Sequence, residues 1–162
     1  MRKHYLFCIT ILLMSGCVSV ELPGSKTTSA KGVQWSQPGG QFKEIKATNA
    51  DKTWLSSRTG NTISFLSECG NTADPSLQSL ESESLSAVGK INPISSKIYD
   101  FNGRAARNSV SSGEVDGVPV QLELLVFKKN GCNYTLSYGG VMKQFDAEHN
   151  IFEEFKQNFK AP

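Results

Sequence analysis

The stretch NGRAARNSVSSGEVDGVPVQLELLVFKKNG, residues 102–131, decides the fold. It opens on Asn102-Gly103, turns at Asp116-Gly117 and closes on Asn130-Gly131, three dipeptides at a constant spacing of fourteen residues. Asn-Gly and Asp-Gly supply the positive φ angles of a two-residue hairpin turn, whose twist matches that of the flanking strands. The spacing predicts four consecutive antiparallel strands, 95–101, 104–115, 118–129 and 132–139. In the third, Val118, Val120, Leu122, Leu124 and Val126 form an unbroken apolar face that has to be covered. Closing Asn130-Gly131 as a two-residue turn sets Lys129 against Cys132, Phe127 against Tyr134 and Leu125 against Leu136, so one end of the opposite face is apolar too. A sheet with apolar ground on both sides calls for an element on each.

Two helices answer that demand. Asp74 is a candidate N-cap with Pro75 at the first helical position; Leu77, Leu80, Leu85 and Val88 make an approximate stripe, and Gly89 closes the end. The second starts near Asp146, with Phe145 just before it, and carries Ile151, Phe152, Phe155 and Phe159 at helical spacing. Upstream, 42–47, 52–57 and 62–69 read as shorter strands, the last two joined at Thr59-Gly60-Asn61. Three strands, a helix, four strands and a final helix give an α+β domain: a mostly antiparallel sheet of about seven strands with one helix packed on each face.

The N-terminus is an address. Arg2 and Lys3 precede the apolar run from Tyr5 to Met14, about half the twenty residues a membrane-spanning helix needs, so the segment reads as an export signal. Leu13-Met14-Ser15-Gly16-Cys17 resembles the lipobox of bacterial lipoproteins, with Met14 where leucine is usual. The resemblance implies that residues 1–16 are a removed signal peptide, that Cys17 becomes a diacylglyceryl-modified N-terminus, and that the mature protein is anchored to a membrane. The residue after the cysteine is Val18, not the aspartate that retains many such proteins at the inner membrane. Family analogy therefore favours the outer membrane, facing the periplasm. Residues 17–32 are expected to be the lipidated cysteine and a flexible Ser/Thr/Gly/Lys-rich tether, and 33–162 a single globular domain.

Composition narrows the function. The 17 Lys plus Arg and 15 Asp plus Glu give a net charge of +2, and signal removal takes Arg2 and Lys3 but no acid, leaving 15 against 15. A neutral domain gives no electrostatic footprint for nucleic acid. No Gly-x-Gly-x-x-Gly or Gly-x-x-x-x-Gly-Lys loop supports a nucleotide. Cys8 leaves with the signal and Cys17 carries lipid. Cys69 and Cys132 are then expected to form one disulfide in an oxidising compartment, two separately buried thiols being the alternative. His149, the only histidine left in the mature chain, is expected at the surface or as a cap in the first turn of the last helix. One histidine and two distant cysteines assemble no zinc-type ligand set, so neither metal nor cofactor is expected.

The strand and helix order, the antiparallel meander and the final Phe152-x-x-Phe155-x-x-x-Phe159 helix resemble the PsbP-like α/β/α sandwich over about residues 33–160. No functional motif of that family is matched, and a fold does not fix a function. The reading favoured here is a non-enzymatic binding or assembly module whose partners are the membrane and another envelope protein. Candidate contacts are Trp35, Trp54, Arg58, Arg104, Arg107 and Tyr138, since tryptophan, tyrosine and arginine are enriched at interface hot spots. Packing in the strands is the competing role for Trp54 and Tyr138. Arg104 and Arg107, three apart on one strand, fall on opposite faces. The alternative is a small envelope hydrolase using carboxylates such as Glu68, Asp74, Asp100, Glu114 or Asp116, which requires a cleft that sets their separation.

Overall fold

All three dipeptides turn the chain as two-residue hairpins: φ is 58° and 75° at Asn102-Gly103, 50° and 78° at Asp116-Gly117, and 51° and 74° at Asn130-Gly131. Positive φ at both central residues is the signature of the I′ turn. The computed structural model describes residues 27–70 and 74–162. The expected export segment 1–16, Cys17 and most of the expected tether lie outside the described residues.

The chain builds β1 (Phe42–Ile45), β2 (Lys52–Ser56), β3 (Thr62–Cys69), α1 (Leu77–Ser84), β4 (Gly89–Phe101), β5 (Arg104–Val115), β6 (Val118–Lys129) and β7 (Cys132–Val141). A 3-10 helix, Met142–Glu148, then runs into α2 (His149–Asn158). Every strand pairing is antiparallel, in the order β1-β2-β3-β7-β6-β5-β4. The register expected at the last hairpin holds, with Lys129 opposite Cys132, Phe127 opposite Tyr134 and Leu125 opposite Leu136. This is the seven-stranded α+β architecture the sequence implies.

The main core lies between the sheet and α2. Trp54, Ile63, Phe65, Leu125, Phe127, Tyr134, Leu136 and Tyr138 meet Phe145, Phe152, Phe155 and Phe159, each at most 3% exposed. A fully buried Phe is worth about 1.5–3 kcal/mol relative to an exposed one, so Phe152 and Phe155 of the helix, with Phe159 just past its end, fix α2 to this face. On the other face, α1 sets Leu80 and Glu81 toward β5 and β6, and Glu81 accepts from Arg107. Eight residues cover only part of a twelve-residue strand. Leu124 and Val126 are buried, whereas Val118, at the far end of the same face, stays 45% exposed.

Several boundaries differ from expectation, and in three places a distant partner is the reason. The cap of α1 is Ser76, whose Oγ accepts from the Ser79 N–H at 3.0 Å; Asp74 is instead drawn to Lys128 on β6, which also donates to the Pro75 carbonyl. Gly89 opens β4 rather than closing α1, and β4 begins six residues early through two register irregularities between Gly89 and Ser95. The folded unit starts before residue 33. Thr28 exchanges backbone hydrogen bonds with Cys69 at 3.1 and 2.8 Å, the Ala30 N–H donates to Ser67 Oγ, and Ala30 and Val33 pack on the core. Cys69 and Cys132 sit opposite each other on β3 and β7 and form a disulfide with a Cα–Cα distance of 4.1 Å.

Candidate functional site

The first turns of α2 carry His149, Glu153 and Lys156 on one side of the helix, because residues three, four and seven apart share a face. Phe152, Phe155 and Phe159 occupy the neighbouring side and enter the core. The polar side lies over the part of the sheet where β5 and β6 present Asn108 and Glu123, respectively 5% and 3% exposed. Glu123 falls in the row of Leu125 and Phe127, where an apolar residue would complete the pattern.

The buried groups satisfy one another. Lys156, 5% exposed, donates from Nζ to Glu123 Oε1 at 2.5 Å, to Glu153 Oε1 at 2.7 Å and to Asn108 Oδ1 at 3.3 Å. The Asn108 amide donates to Glu123 Oε1 at 2.9 Å and to the Leu124 carbonyl at 3.3 Å. His149 Nε2 lies 2.5 Å from Glu123 Oε2 and 3.5 Å from Glu153 Oε1. Burial pushes the Glu123 carboxyl up, but hydrogen bonds from Lys156, His149 and Asn108 outweigh it and hold the group below its ordinary value. Burial likewise pushes Lys156 down, and its bonds to Glu123 and Glu153 reverse the direction. Both members of the pair are therefore driven toward their charged forms.

A cleft of about 430 Å³ opens beside this cluster, between β4 and α2. Asn108, Glu153 and Lys156 line its inner part, Tyr99, Phe101 and Phe159 give it aromatic walls, and Lys97, Gln157 and Lys160 are at its rim. That volume falls within the range of small-ligand sites. The liganding atoms of Glu123, His149 and Glu153 lie within 4.8 Å of one another, a grouping that a metal ion can use. The Lys156 ammonium already bridges the two carboxylates, and a divalent ion would have to displace it. The arrangement fits a closed ion-pair network better than a metal centre.

A second buried carboxylate fastens the 3-10 helix to the β2–β3 turn. Glu148 is 1% exposed and accepts from Ser56 Oγ at 3.1 Å, from Arg58 Nε at 3.2 Å and from Thr59 Oγ1. Burial raises its carboxyl, and the bonds from Thr59, Ser56 and Arg58 bring it below the ordinary range. Nearby, the Tyr138 hydroxyl donates to the Phe145 carbonyl at 2.6 Å and accepts from Asn61 Nδ2 at 2.8 Å; burial pushes it up to about 12.

Glu123 and Glu148 thus titrate lower in the folded chain than in the unfolded one. Their stabilisation is present above the ordinary value of 4.5 and is lost as pH falls through the folded values. Urea-unfolding midpoints are expected to fall as pH is lowered below about 4.5 and to be nearly level, on their account, from there to neutrality. A midpoint that rises on acidification below that value contradicts this assignment.

Of the residues expected to meet partners, Trp54 and Tyr138 are 1% and 0% exposed and belong to the core, so neither presents a surface. Trp35 is 37% exposed and leans on Phe65 at a ring-centroid distance of 5.0 Å. Arg58 is committed to Glu148 and the Ala147 carbonyl, and Arg107 to Glu81. Arg104 is exposed, beside the β4–β5 turn and on the opposite face of β5 from Arg107. These six do not converge. His149, expected as a surface or capping residue, is the first residue of α2 and is held by Glu123. The carboxylates of the hydrolase alternative are also dispersed: Asp74 pairs with Lys128, Glu114 with Lys90, Asp116 forms a turn and Asp100 accepts from the Gly103 N–H. Glu68 lies on β3 opposite Asn133.

No protein-family model matches the chain, and no curated protein matches it. Solved structures do. LpqN of Mycobacterium tuberculosis, described as involved in cell envelope biogenesis, superposes with a TM-score of 0.58 at 11% identity, over 87% of this chain and 86% of its own. The cyanobacterial PsbP of Synechocystis gives 0.56 at 10% identity, over 92% and 99%. A Pseudomonas aeruginosa protein of unknown function gives 0.51 at 10% identity, over 79% and 85%. At these identities the likeness establishes the fold, which is PsbP-like.

Proposed function

We propose that the chain is a lipid-anchored module of a bacterial cell envelope, facing the periplasm from the outer membrane, that binds a ligand or partner without turnover. The observation that carries the non-enzymatic part is the state of the buried ion pair beside the cleft. A general acid or base works best with a pKa near the operating pH, and two catalytic carboxylates need environments that push their values apart. Glu123 and Lys156 are instead each other's partners, driven toward their charged forms, and Lys156 is the member that lines the cleft. Such a pair can orient a ligand; it is poorly suited to moving a proton. The lipobox at Met14-Ser15-Gly16-Cys17 supports the anchor, and the likeness to an envelope-biogenesis protein supports the setting. Among the described residues no helix is long and apolar enough to cross a membrane.

Cys17→Ser is expected to abolish metabolic labelling by a fatty-acid analogue; persistent labelling would refute the anchor. Crosslinking in intact cells from Gln157, at the rim of the cleft, followed by mass spectrometry, is expected to recover a defined envelope partner or ligand. Recovery of none, together with hydrolysis of a cell-wall substrate by the purified protein, overturns the binding reading in favour of the hydrolase.

A further inference from the structure

Among the described residues, β4 closes one side of the sheet and has a neighbour only in β5. Edge strands of this length are a liability that proteins usually blunt. Here the proline and the bulges are confined to one half. Pro93 and both register irregularities fall between Gly89 and Ser95, whereas Ser95–Phe101 runs in unbroken register with β5. The most exposed isoleucine of the strand, Ile98 at 65%, lies in the regular half, and Ile94, at 54%, in the irregular one. Every second residue of such an edge directs its backbone N–H and C=O away from β5, with no protein partner.

We propose that this edge pairs with β4 of a second copy of the chain, antiparallel and about a two-fold axis normal to the sheet, centred on Ile98. Such an axis preserves the faces of the sheet, so opposed residues must share a face and the axis passes through a residue rather than between two. Few centres are available. Lys97 would oppose two ammoniums, Asp100 two carboxylates, and Ser96 would draw the irregular half into the ladder. Tyr99 would set Ile98 against aspartate. With Ile98 at the centre, isoleucine meets isoleucine, Lys97 meets the partner's Tyr99 and Ser96 meets the partner's Asp100. Lys97 already lies 5.5 Å from its own Tyr99 ring, so the cation and aromatic ring are placed to alternate across the axis.

Lys97 and Tyr99 also line the cleft, whose rim the second copy would extend. The pairing does not depend on the lipid anchor. It is compatible with one, because a two-fold axis lying along the membrane normal would set both N-terminal segments, which enter beside Cys69, at equal height.

The test uses the chain from residue 17 onward carrying Cys17→Ser. Sedimentation velocity over roughly 1–500 µM is expected to show a concentration-dependent dimer. Ile98→Lys opposes two charges at the centre and is expected to weaken it at least tenfold, without lowering the thermal midpoint of this exposed position. Ile98→Cys is expected to give a disulfide-linked dimer on oxidation, and Ile94→Cys none. A monomer at every concentration, or a dimer that survives Ile98→Lys, overturns the proposal.

Discussion

Lys156→Met should destabilise the fold by about 3–5 kcal/mol, the loss expected when one member of a buried ion pair is removed and the other is left without its counter-charge. Glu123, 3% exposed, would keep only Asn108 and His149 and would have to take up a proton on burial. The partly exposed Glu153 would turn to water. Urea unfolding of wild type and variant at neutral pH measures the difference, and a loss under about 1 kcal/mol would mean that the pair is not desolvated. The double variant Glu123→Leu with Lys156→Met separates the alternatives. It replaces a costly pair by apolar groups beside Leu125 and Phe152, and it should recover most of the lost stability. Non-additivity of this kind is what a shared network produces.

The second large effect is expected at the disulfide. Cys69 and Cys132 are 63 residues apart in sequence, and closing a loop of that length in the unfolded chain is worth about 4 kcal/mol on the chain-entropy model. Paired Cys69→Ser and Cys132→Ser substitutions should lower the unfolding free energy by roughly that amount, less whatever the reduced ends of β3 and β7 regain by relaxing. The bridge joins the two strands where the N-terminal segment bonds to Cys69, so fraying there should also release Thr28. A non-reducing gel on wild-type protein without a mobility shift on reduction would contradict the bridge.

The meander was legible because two-residue turns make a local, steric demand that Asn102-Gly103, Asp116-Gly117 and Asn130-Gly131 meet without help from the rest of the chain. Elements that depend on distant partners were harder to read. Asp74-Pro75 has the chemistry of a helix start, yet Lys128, 54 residues away, engages Asp74 and leaves the cap to Ser76. The first half of β4 has no clean alternation, since its place beside β5 rests on long-range pairing around Pro93.

The candidate site was hidden for a related reason. In Gln121-Leu122-Glu123-Leu124-Leu125, Glu123 reads as an outward polar residue of an amphipathic strand, and only the register of β6 against the α2 side of the sheet makes it buried. A signal was present. Glu123 shares its face with Leu125 and Phe127, and the last helix carries His149, Glu153 and Lys156 as a polar stripe beside its phenylalanines, a placement more specific than a solvated face requires. For Trp54 and Tyr138 it is the packing role, rather than the contact role, that agrees with their burial: both lie on the face that α2 covers.

The buried Glu123–Lys156 pair beside the cleft is a fixed pair of charges rather than an acid and base in waiting. Its most direct test is a carboxyl carbon NMR titration of Glu123 in the folded wild-type protein, assigned with Glu123→Gln. The expected inflection lies below the ordinary value of 4.5 and moves upward in Lys156→Met, where burial acts without its strongest opposing bond. An inflection near neutrality in the wild-type protein would contradict it, because a carboxyl protonated at working pH is what a hydrolase keeps as its general acid.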